Sequence, residues 1–380
     1  MADDLSLYIH IPFCKRKCLY CDFPSWGGHE SHFEKYVKSL KCEIEALGKE
    51  HSGRNIDTIF IGGGTPTVLS ERLLSEICES VFNNFSVNKN AEFTCEANPG
   101  TVDGRKLTEM NKMGINRLSF GVQAWQNGIL ESLGRIHNHE AVVKNIYEAR
   151  EAGFKNINCD VMFSLPKQTM EDWLETLEKI TSFNIEHISA YSLIVEDGTP
   201  FKKMYDEGKL SLPDEETDRQ MYHIANEFLA DKGFMRYEIS NFAKKGYESR
   251  HNITYWDTRE YIGAGLGSHS YIDGKRFHNT YEMDKYIAYG GSSENIKEDI
   301  EVLSEDVKME EFMFMGLRMA RGIEKEEFKR RFNVSLESVY KNEIEELKGQ
   351  MLLEEKNGFL FLTDQGIDIS NYVFEKFIKI

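Results

Sequence analysis

The stretch LSLYIHI over residues 5–11 leads into CKRKCLYC over residues 14–21. The first segment alternates apolar and polar residues, which is typical of a strand whose two faces differ. The second carries three thiols on one short loop. Such a loop can bring three sulfurs to three corners of a cuboidal [4Fe–4S] cluster, whose usual ligands are Cys thiolates. The spacing therefore predicts that Cys14, Cys18 and Cys21 bind a cluster and leave its fourth iron open.

A structural zinc site is the alternative interpretation of these thiols. Zinc takes four ligands in a closed tetrahedron, usually from two paired knuckles, and the sequence has no second CxxC-like pair. Cys42, Cys78, Cys95 and Cys159 are scattered singly, as small buried hydrophobes are. The basic residues 15–17 put positive charge among the sulfurs, and we expect this to favour thiolates.

Composition limits the classes of partner. The 380 residues include 46 basic and 63 acidic side chains, so the net charge is −17. A surface this acidic repels phosphate backbones, and we expect no nucleic-acid partner. No run of apolar residues is long enough to predict a transmembrane segment, and the N-terminus does not resemble a signal peptide. Seven cysteines, three of them clustered, favour metal chemistry in a reducing cytoplasmic compartment.

Strand and helix patterns alternate through the first half of the chain. Strands are predicted over residues 5–11, 57–61, 91–96, 116–120, 156–162 and 186–194. Helices are predicted over residues 31–49, 71–82, 139–152 and 169–181, and one more helix follows the third strand and ends near residue 113. Adjacent parallel strands need crossover connections, and the predicted helices between the strands can provide them. The pattern predicts an α/β fold with an incomplete (β/α)6 barrel, whose ligands sit beyond the carboxyl ends of the strands.

Three domains are predicted. Residues 1–200 form the barrel core, and residues 201–300 form an α+β extension. Within residues 301–380 the regular alternation stops, and helical patterns are followed by two apolar runs around Asn357-Gly358, a strong hairpin signal. Helices followed by a two-stranded wing predict a small winged-helix-like C-terminal domain, which we interpret as a cover or partner-docking module.

The segment GGGTPT over residues 62–67 follows a predicted strand. It lacks the Lys-Ser/Thr of a P-loop and the GxGxxG order of a dinucleotide fold. Consecutive glycines let a backbone approach a ligand closely, so that its N–H and C=O groups can bind an ammonium and a carboxylate. A tight turn is the equally good structural interpretation.

Together these motifs resemble the radical S-adenosylmethionine (SAM) superfamily, and within it the oxygen-independent coproporphyrinogen oxidase family. The resemblance implies SAM on the open iron, chelated through its amino and carboxylate groups. It also assigns SAM contacts on successive strand ends, where each residue alone could be a cap or an ion-pair partner. Those contacts are Tyr8, Tyr20, Gly63, Gly64, Thr65, Glu96, Gln123, Arg135 and Asp160.

The segment RHNITYW over residues 250–256 combines an imidazole with two flat aromatic rings. Imidazole is a regular axial ligand of haem iron, although a lone His beside aromatics is more often structural. The segment resembles the HNxxYW motif of the haem-chaperone (HemW) branch of the family, which implies haem binding by His251, Asn252, Tyr255 and Trp256. Phe23 stands where the oxidases carry a further Cys, and this also favours the chaperone branch.

The resemblance implies a haem chaperone that carries a [4Fe–4S] cluster and SAM and passes haem to an acceptor apoprotein. A membrane-associated respiratory protein is one candidate acceptor, and a dimer is one candidate assembly. Whether the chain is an enzyme stays open at this point. The alternatives are a radical SAM oxidoreductase acting on a porphyrinogen, as a coproporphyrinogen III dehydrogenase does, and a radical SAM methylase or tailoring enzyme.

Overall fold

The computed structural model describes residues 4–290 and 292–379, and the elements below belong to those ranges. The strands are β1 Leu5–Ile11, β2 Phe13–Cys14, β3 Trp26–Gly27, β4 Asn55–Gly63, β5 Ser86–Ala97, β6 Arg117–Gln123, β7 Asn156–Phe163, β8 His187–Ser192, β9 Met235–Glu238, β10 Asn241–Ala243, β11 Tyr261–Ala264, β12 His269–Ile272, β13 Lys275–Asn279, β14 Lys297–Val302, β15 Ile323–Glu324, β16 Leu353–Lys356 and β17 Phe359–Leu362.

The helices follow the strands in regular alternation through the first half of the chain. They are α1 Phe33–Glu50, α2 Glu71–Asn84, α3 Gly104–Lys112, α4 Asn127–Ser132, α5 His139–Glu151, α6 Met170–Ser182, α7 Pro200–Asp206, α8 Glu215–Asp231, α9 Arg250–Trp256, α10 Met283–Ala288, α11 Ser293–Ile296, α12 Glu305–Gly316, α13 Lys325–Phe332, α14 Leu336–Gly349, α15 Asp364–Asp368 and α16 Ser370–Glu375. Short 3-10 turns occupy Glu30–His32 and Pro66–Val68.

One mixed sheet organises the molecule, in the order β14-β13-β12-β11-β1-β4-β5-β6-β7-β8-β10-β9. The strands from β11 through β8 are parallel, and the strands beyond them on both sides pair antiparallel. The predicted incomplete barrel of six βα units is therefore confirmed. A seventh parallel strand, the four-residue β11, joins it at the edge of β1 and was not predicted from the sequence.

The two faces of the barrel strands differ in chemistry. In β1 the alternate side chains Leu5, Leu7 and Ile9 are fully buried and belong to the large apolar core that includes residues of the surrounding helices. Ser6 and His10 are equally buried but lie on the other face of the strand, because side chains alternate along a strand. The apolar layer therefore lies between sheet and helices, and the barrel interior is polar.

The C-terminal part has its own apolar core, built from residues between Phe312 and Phe377. Its three-stranded sheet, β15-β17-β16, packs with α12, α13 and α14 in a winged-helix-like arrangement. The predicted hairpin is confirmed, and β15 is an additional strand. The strands between residues 201 and 300 instead extend the barrel sheet and share its core, and the domain boundaries at 200 and 300 stay a prediction.

Among the described residues, no helix combines the length and the apolar character needed to cross a membrane.

Candidate functional site

The cysteine loop lies at the carboxyl end of β1 and is held on both sides. Phe13 and Cys14 pair with Trp26 and Gly27 as a two-stranded ladder that closes the loop at its base. The backbone N–H of Leu19 donates to the carbonyl of Leu133 at 3.0 Å, which fixes the middle of the loop to the segment after α4. The loop is therefore anchored independently of any bound metal.

The three thiols of this loop are free and half-buried. The basic residues 15–17 are exposed, whereas Arg135 Nη1 lies 3.4 Å from Cys18 Sγ. Burial raises the pKa of Cys21 to about 11, and Lys17 offsets this only in part. Lys17 therefore acts on the thiol in the expected direction, but burial outweighs it. The cation in contact with a sulfur, Arg135, comes from the segment after α4.

The donor set fits an iron–sulfur cluster better than a zinc ion. In the described part of the chain, no three or more His, Cys, Asp or Glu side chains surround a point where one metal ion could bind. A zinc ion needs its ligands around one point, whereas a cuboidal cluster takes each thiolate on a different iron. Arg135 at Cys18 and the Thr65 hydroxyl, 3.6 Å from Cys14 Sγ, supply the hydrogen-bond donors that tune cluster sulfurs.

The glycine segment after β4 packs directly against this loop. Gly64 N donates to Ile11 O at 2.8 Å, and Thr65 N donates to Phe13 O at 2.7 Å. Gly63 has a φ of +110°, and a Cβ there would lie 2.5 Å from the ring of His10. A Cβ on Gly64 would lie 2.6 Å from the carbonyl oxygen of Phe13. Glycine is therefore required here by close packing against His10 and the backbone of Phe13, whereas the sequence analysis considered approach to a ligand or a tight turn.

A polar group connects the glycine segment to the cluster loop. Asn98 Nδ2 donates to Thr65 Oγ1 at 2.8 Å, and Arg135 Nη2 donates to Asn98 Oδ1 at 2.6 Å and to the carbonyl of Gly121. Gln123 ends β6 with a φ of +68°, and its amide nitrogen lies beside the same glycine. The cysteine loop after β1, the segments after β4 and β5 and the segment after α4 thus converge on one small cleft beside Cys18.

Two carboxylates lie deeper in the barrel. Glu96 accepts a hydrogen bond from Gly63 N at 3.0 Å, and Asp160 accepts from Asn158 Nδ2 at 2.8 Å and Ser119 Oγ at 3.0 Å. Burial, and next the charge of Asp160, raises the pKa of Glu96 to about 8. Burial also raises the pKa of Asp160. The site therefore carries buried acidic groups that would stabilise a cationic ligand such as a sulfonium or an ammonium.

Two aromatic residues complete the predicted SAM set, and the structure separates them. Tyr20 lies in the cysteine loop, with its ring centroid 6.3 Å from that of Phe201. Tyr8 lies inside the barrel, where its hydroxyl is 3.0 Å from His10 Nδ1 and its ring stacks with Phe60. All nine predicted SAM residues therefore lie at the strand ends or in the barrel interior, but only part of the set borders the cleft at Cys18.

Sequence reasoning missed three polar residues here. Asn98 was assigned no role, yet it links Thr65 to Arg135. Arg117 is fully buried in β6, and its Nε has no partner among the described residues. His137, two residues after Arg135, lines the cleft with an equally unpaired Nδ1. The available signal was a charged residue in an otherwise apolar strand for Arg117; His137 offered none.

The helix that carries the HNxxYW segment, α9, lies at the opposite end of the barrel. Ser249 caps it, and Glu92 of β5 accepts the backbone N–H groups of Arg250 and His251, both at 3.1 Å. Ser6, near the start of β1, hydrogen-bonds to Thr254 at 2.8 Å. The helix therefore closes the amino-terminal end of the barrel, away from the cysteine loop.

His251 is 1% exposed, and both of its ring nitrogens are hydrogen-bonded. Thr58 Oγ1 lies 2.7 Å from Nδ1, and Tyr255 Oη lies 2.9 Å from Nε2. The Thr58 hydroxyl donates to Ser6, so Nδ1 of His251 donates to Thr58 and Nε2 accepts from Tyr255. Burial, and next the charge of Arg117, lowers the pKa of His251 to about 3, so the ring is neutral. In this arrangement His251 positions Tyr255.

The other side of α9 borders a cavity of about 260 Å³, which we call the interdomain cavity. It is lined by Tyr255, Trp256, Thr258, Arg259, Tyr261, Tyr271, Arg276, Glu311 and Met315. The last two residues belong to α12. Trp256 Nε1 is buried without a partner among the described residues, and the guanidinium of Arg318 lies 4.4 Å from the centre of its ring. Tyr255 and Trp256 of the motif thus line a partly apolar cavity, and guanidinium groups lie beside it.

Glu96 gives the apo protein a testable pH dependence. Its pKa is about 8 in the folded chain and near the ordinary 4.5 in the unfolded chain, so folding binds a proton between these values. The free energy of unfolding should therefore fall as pH rises from about 4.5 to about 8 and lose nothing further from this group above that. In urea unfolding between about pH 4.5 and pH 8, the free energy of unfolding of Glu96→Gln should lack this part of the decline. The surface variant Glu131→Gln should retain it. Parallel curves for wild type and Glu96→Gln would contradict the assignment.

Comparisons with known proteins cover nearly the whole chain. The Radical SAM superfamily model matches residues 8–180, and the HemN C-terminal domain model matches residues 303–369. "Heme chaperone HemW" of Lactococcus lactis subsp. lactis (strain IL1403) is 38% identical over 373 residues, 98% of this chain and 97% of the relative. "Heme chaperone HemW" of Bacillus subtilis (strain 168) is 37% identical over 374 residues, covering 98% and 99%.

A mitochondrial relative and a solved structure extend the likeness. "Radical S-adenosyl methionine domain-containing protein 1, mitochondrial" of Danio rerio is 33% identical over 381 residues, covering 97% of this chain and 84% of the relative. The solved structure of coproporphyrinogen III oxidase (HemN) from Escherichia coli superposes with a TM-score of 0.86 at 22% identity, covering 99% and 90%. At that identity the solved structure supports the fold and not the reaction.

Proposed function

Because the chain belongs to the HemW family of radical SAM proteins, we propose that it is a haem chaperone that binds haem and passes it to an acceptor protein. The observation that carries the proposal is the near full-length similarity to curated haem chaperones. The interdomain cavity supports it independently, because aromatic walls beside guanidinium groups suit a macrocycle with propionates.

We propose that the cluster is held by Cys14, Cys18 and Cys21. SAM would bind at the strand ends beside them, where Thr65 and Arg135 border the cleft at Cys18 and where Gln123 and the backbone of Gly63 and Gly64, on the adjoining strand ends, could orient its polar groups. Glu96 and Asp160 stabilise its positive charge from within the barrel. When bound, the cluster and SAM supply one-electron chemistry. The protein's part is to hold the donor groups in place and to limit the access of water.

For haem we propose the motif helix as the site. Tyr255 and Trp256 form a flat wall of the interdomain cavity, and Trp256 Nε1 is a buried donor without a partner among the described residues. His251 acts through its hydrogen bond to Tyr255, and Asn252 lies on the first turn of the same helix. Haem therefore binds at the amino-terminal end of the barrel and SAM at the carboxyl end, so that neither blocks the other.

We further propose that the chain works in the cytoplasm and delivers haem to a membrane-associated respiratory apoprotein. Seven free cysteines are consistent with a reducing compartment, although one of them, Cys42, is exposed. The C-terminal domain, which the acidic charge of the chain makes unsuited to nucleic acid, remains our candidate docking module for the acceptor.

The proposed haem site can be tested with one pair of tryptophan variants. Trp256→Ala should weaken haem binding about tenfold, because it removes a large flat contact surface and a donor. Trp125→Ala is the matched control. Trp125 follows β6 and packs against His139, away from α9, so this variant should bind haem as wild type does. The measurement is a titration of the anaerobically reconstituted full chain with haem, followed by its visible absorbance. Equal affinities for all three proteins would remove haem from this site.

A further inference from the structure

The interdomain cavity contains few groups that could bind iron. The motif imidazole is not among its walls, because His251 is buried under α9 with both nitrogens hydrogen-bonded. Haem iron in proteins takes axial ligands from His, Cys, Met or Tyr. Within the lining of this cavity, those types are represented only by three tyrosines and one methionine, Met315.

The tyrosines are poor candidates. The hydroxyl of Tyr255 is committed to His251 Nε2 at 2.9 Å. Burial raises the pKa of Tyr261 and Tyr271 as well as that of Tyr255, so the phenolate that binds iron is disfavoured at all three positions. A thioether binds iron without losing a proton and therefore meets no such penalty.

We propose that Met315 of α12 supplies an axial sulfur ligand to the haem iron, so that the haem site is completed only when the C-terminal domain is docked on the barrel. This inference rests on the proposed haem-binding function. The coordinate bond uses a lone pair of the thioether sulfur, and no proton or electron is transferred.

A cation for a haem propionate lies at the same cavity. Arg276 is already bound through both of its terminal nitrogens to Glu311, at 2.7 Å each. Arg259 makes only a longer ion pair, with Asp257 at 3.9 Å, among the ion pairs of the described residues, and its side chain is 46% exposed. Arg259 is therefore the guanidinium that can turn to a propionate without breaking a close ion pair.

The docking contacts of the C-terminal domain fall at the carboxyl end of the motif helix and on the two residues that follow it. Arg331 Nη1 donates to the carbonyl of Asp257 at 2.8 Å and to Thr258 Oγ1 at 2.9 Å. Arg321 pairs with the Asp257 carboxylate, and Arg318 covers the ring of Trp256. The C-terminal domain would thus supply the iron ligand and also contact the opposite wall of the haem site. Its movement could therefore release haem. Loosening these contacts removes the ligand and opens the cavity together.

The test uses the full chain with its cluster reconstituted under anaerobic conditions. Met315→Leu keeps nearly the same volume, so the fold should be retained. We expect about tenfold weaker haem binding and loss of the spectroscopic signature of a thioether ligand, as for other changes around a bound metal. Met309→Leu is the matched control, since Met309 lies on the same helix, packs against the C-terminal core and should have no effect.

A second variant provides an independent reading. Met315→His places an imidazole at the same point and should convert the haem spectrum to that of a nitrogen ligand. Unchanged affinity and spectrum in both Met315 variants, with normal haem binding by wild type, would overturn the ligand assignment and leave the haem function standing. Absence of saturable binding by wild type would overturn both.

Discussion

Replacing Cys18 with alanine is expected to remove the cluster entirely, from about four iron atoms per chain after anaerobic reconstitution to nearly none. Three thiolates on one loop hold three irons, and two remaining thiolates cannot hold a cuboidal cluster against solvent. The middle thiol is also the one that Arg135 contacts, at 3.4 Å, so its removal also breaks the contact between this guanidinium and the cluster ligands. Iron and acid-labile sulfide analysis measures the loss.

The matched control for this prediction is Cys42→Ala. Cys42 is an exposed free thiol on α1, outside the loop, and its removal should leave the iron content unchanged. Circular dichroism should show that both variants keep the fold, because the ladder formed by β2 and β3 does not depend on the sulfur. Full iron content in Cys18→Ala, or zinc retained in its place, would contradict the cluster assignment.

Gly64→Ala is expected to abolish SAM binding and to reduce the cluster content sharply. An added Cβ would lie 2.6 Å from the carbonyl oxygen of Phe13 and 3.0 Å from Cys14 Sγ. Neither atom can move away freely, because Phe13 O accepts the N–H of Thr65 at 2.7 Å and Gly64 N donates to Ile11 at 2.8 Å. The single methyl group must therefore push the cysteine loop away from the glycine segment.

A glycine elsewhere in the same domain separates this effect from a general sensitivity to alanine. Gly128 in α4 has open space where its Cβ would point, and alanine favours helix by about 1 kcal/mol over glycine. Gly128→Ala should bind SAM as wild type does and be slightly more stable. Isothermal titration with SAM measures both variants, and wild-type SAM affinity in Gly64→Ala would show that the two segments are not as tightly coupled as their contacts imply.

Local patterns predicted the parts of the site that local chemistry determines. The thiol spacing on residues 14–21 and the glycines of residues 62–64 each describe one loop, and the strand alternation places them at strand ends. Six of the seven parallel strands followed from the same alternation. β11 was not predicted, because four residues containing a glycine carry little periodic signal, and its pairing with β1 joins residues about 255 positions apart.

The remaining features depend on contacts between distant segments. The cation at Cys18 is Arg135 rather than a neighbour in the loop, and nothing in the spacing of residues 14–21 indicates that. The motif HNxxYW marks α9, yet only the packing of α9 against Thr58 shows that His251 is buried and committed. Met315 had no sequence signal at all, because it enters the cavity from a separate domain.

This chain is itself expected to carry haem. The most direct measurement is a stepwise haem titration of the anaerobically reconstituted wild-type chain, followed by addition of apomyoglobin to the loaded protein. We expect saturation at about one haem per chain, with the bound haem then taken up by apomyoglobin. A rise in absorbance that never saturates, or haem that associates equally with the unfolded chain, would contradict it.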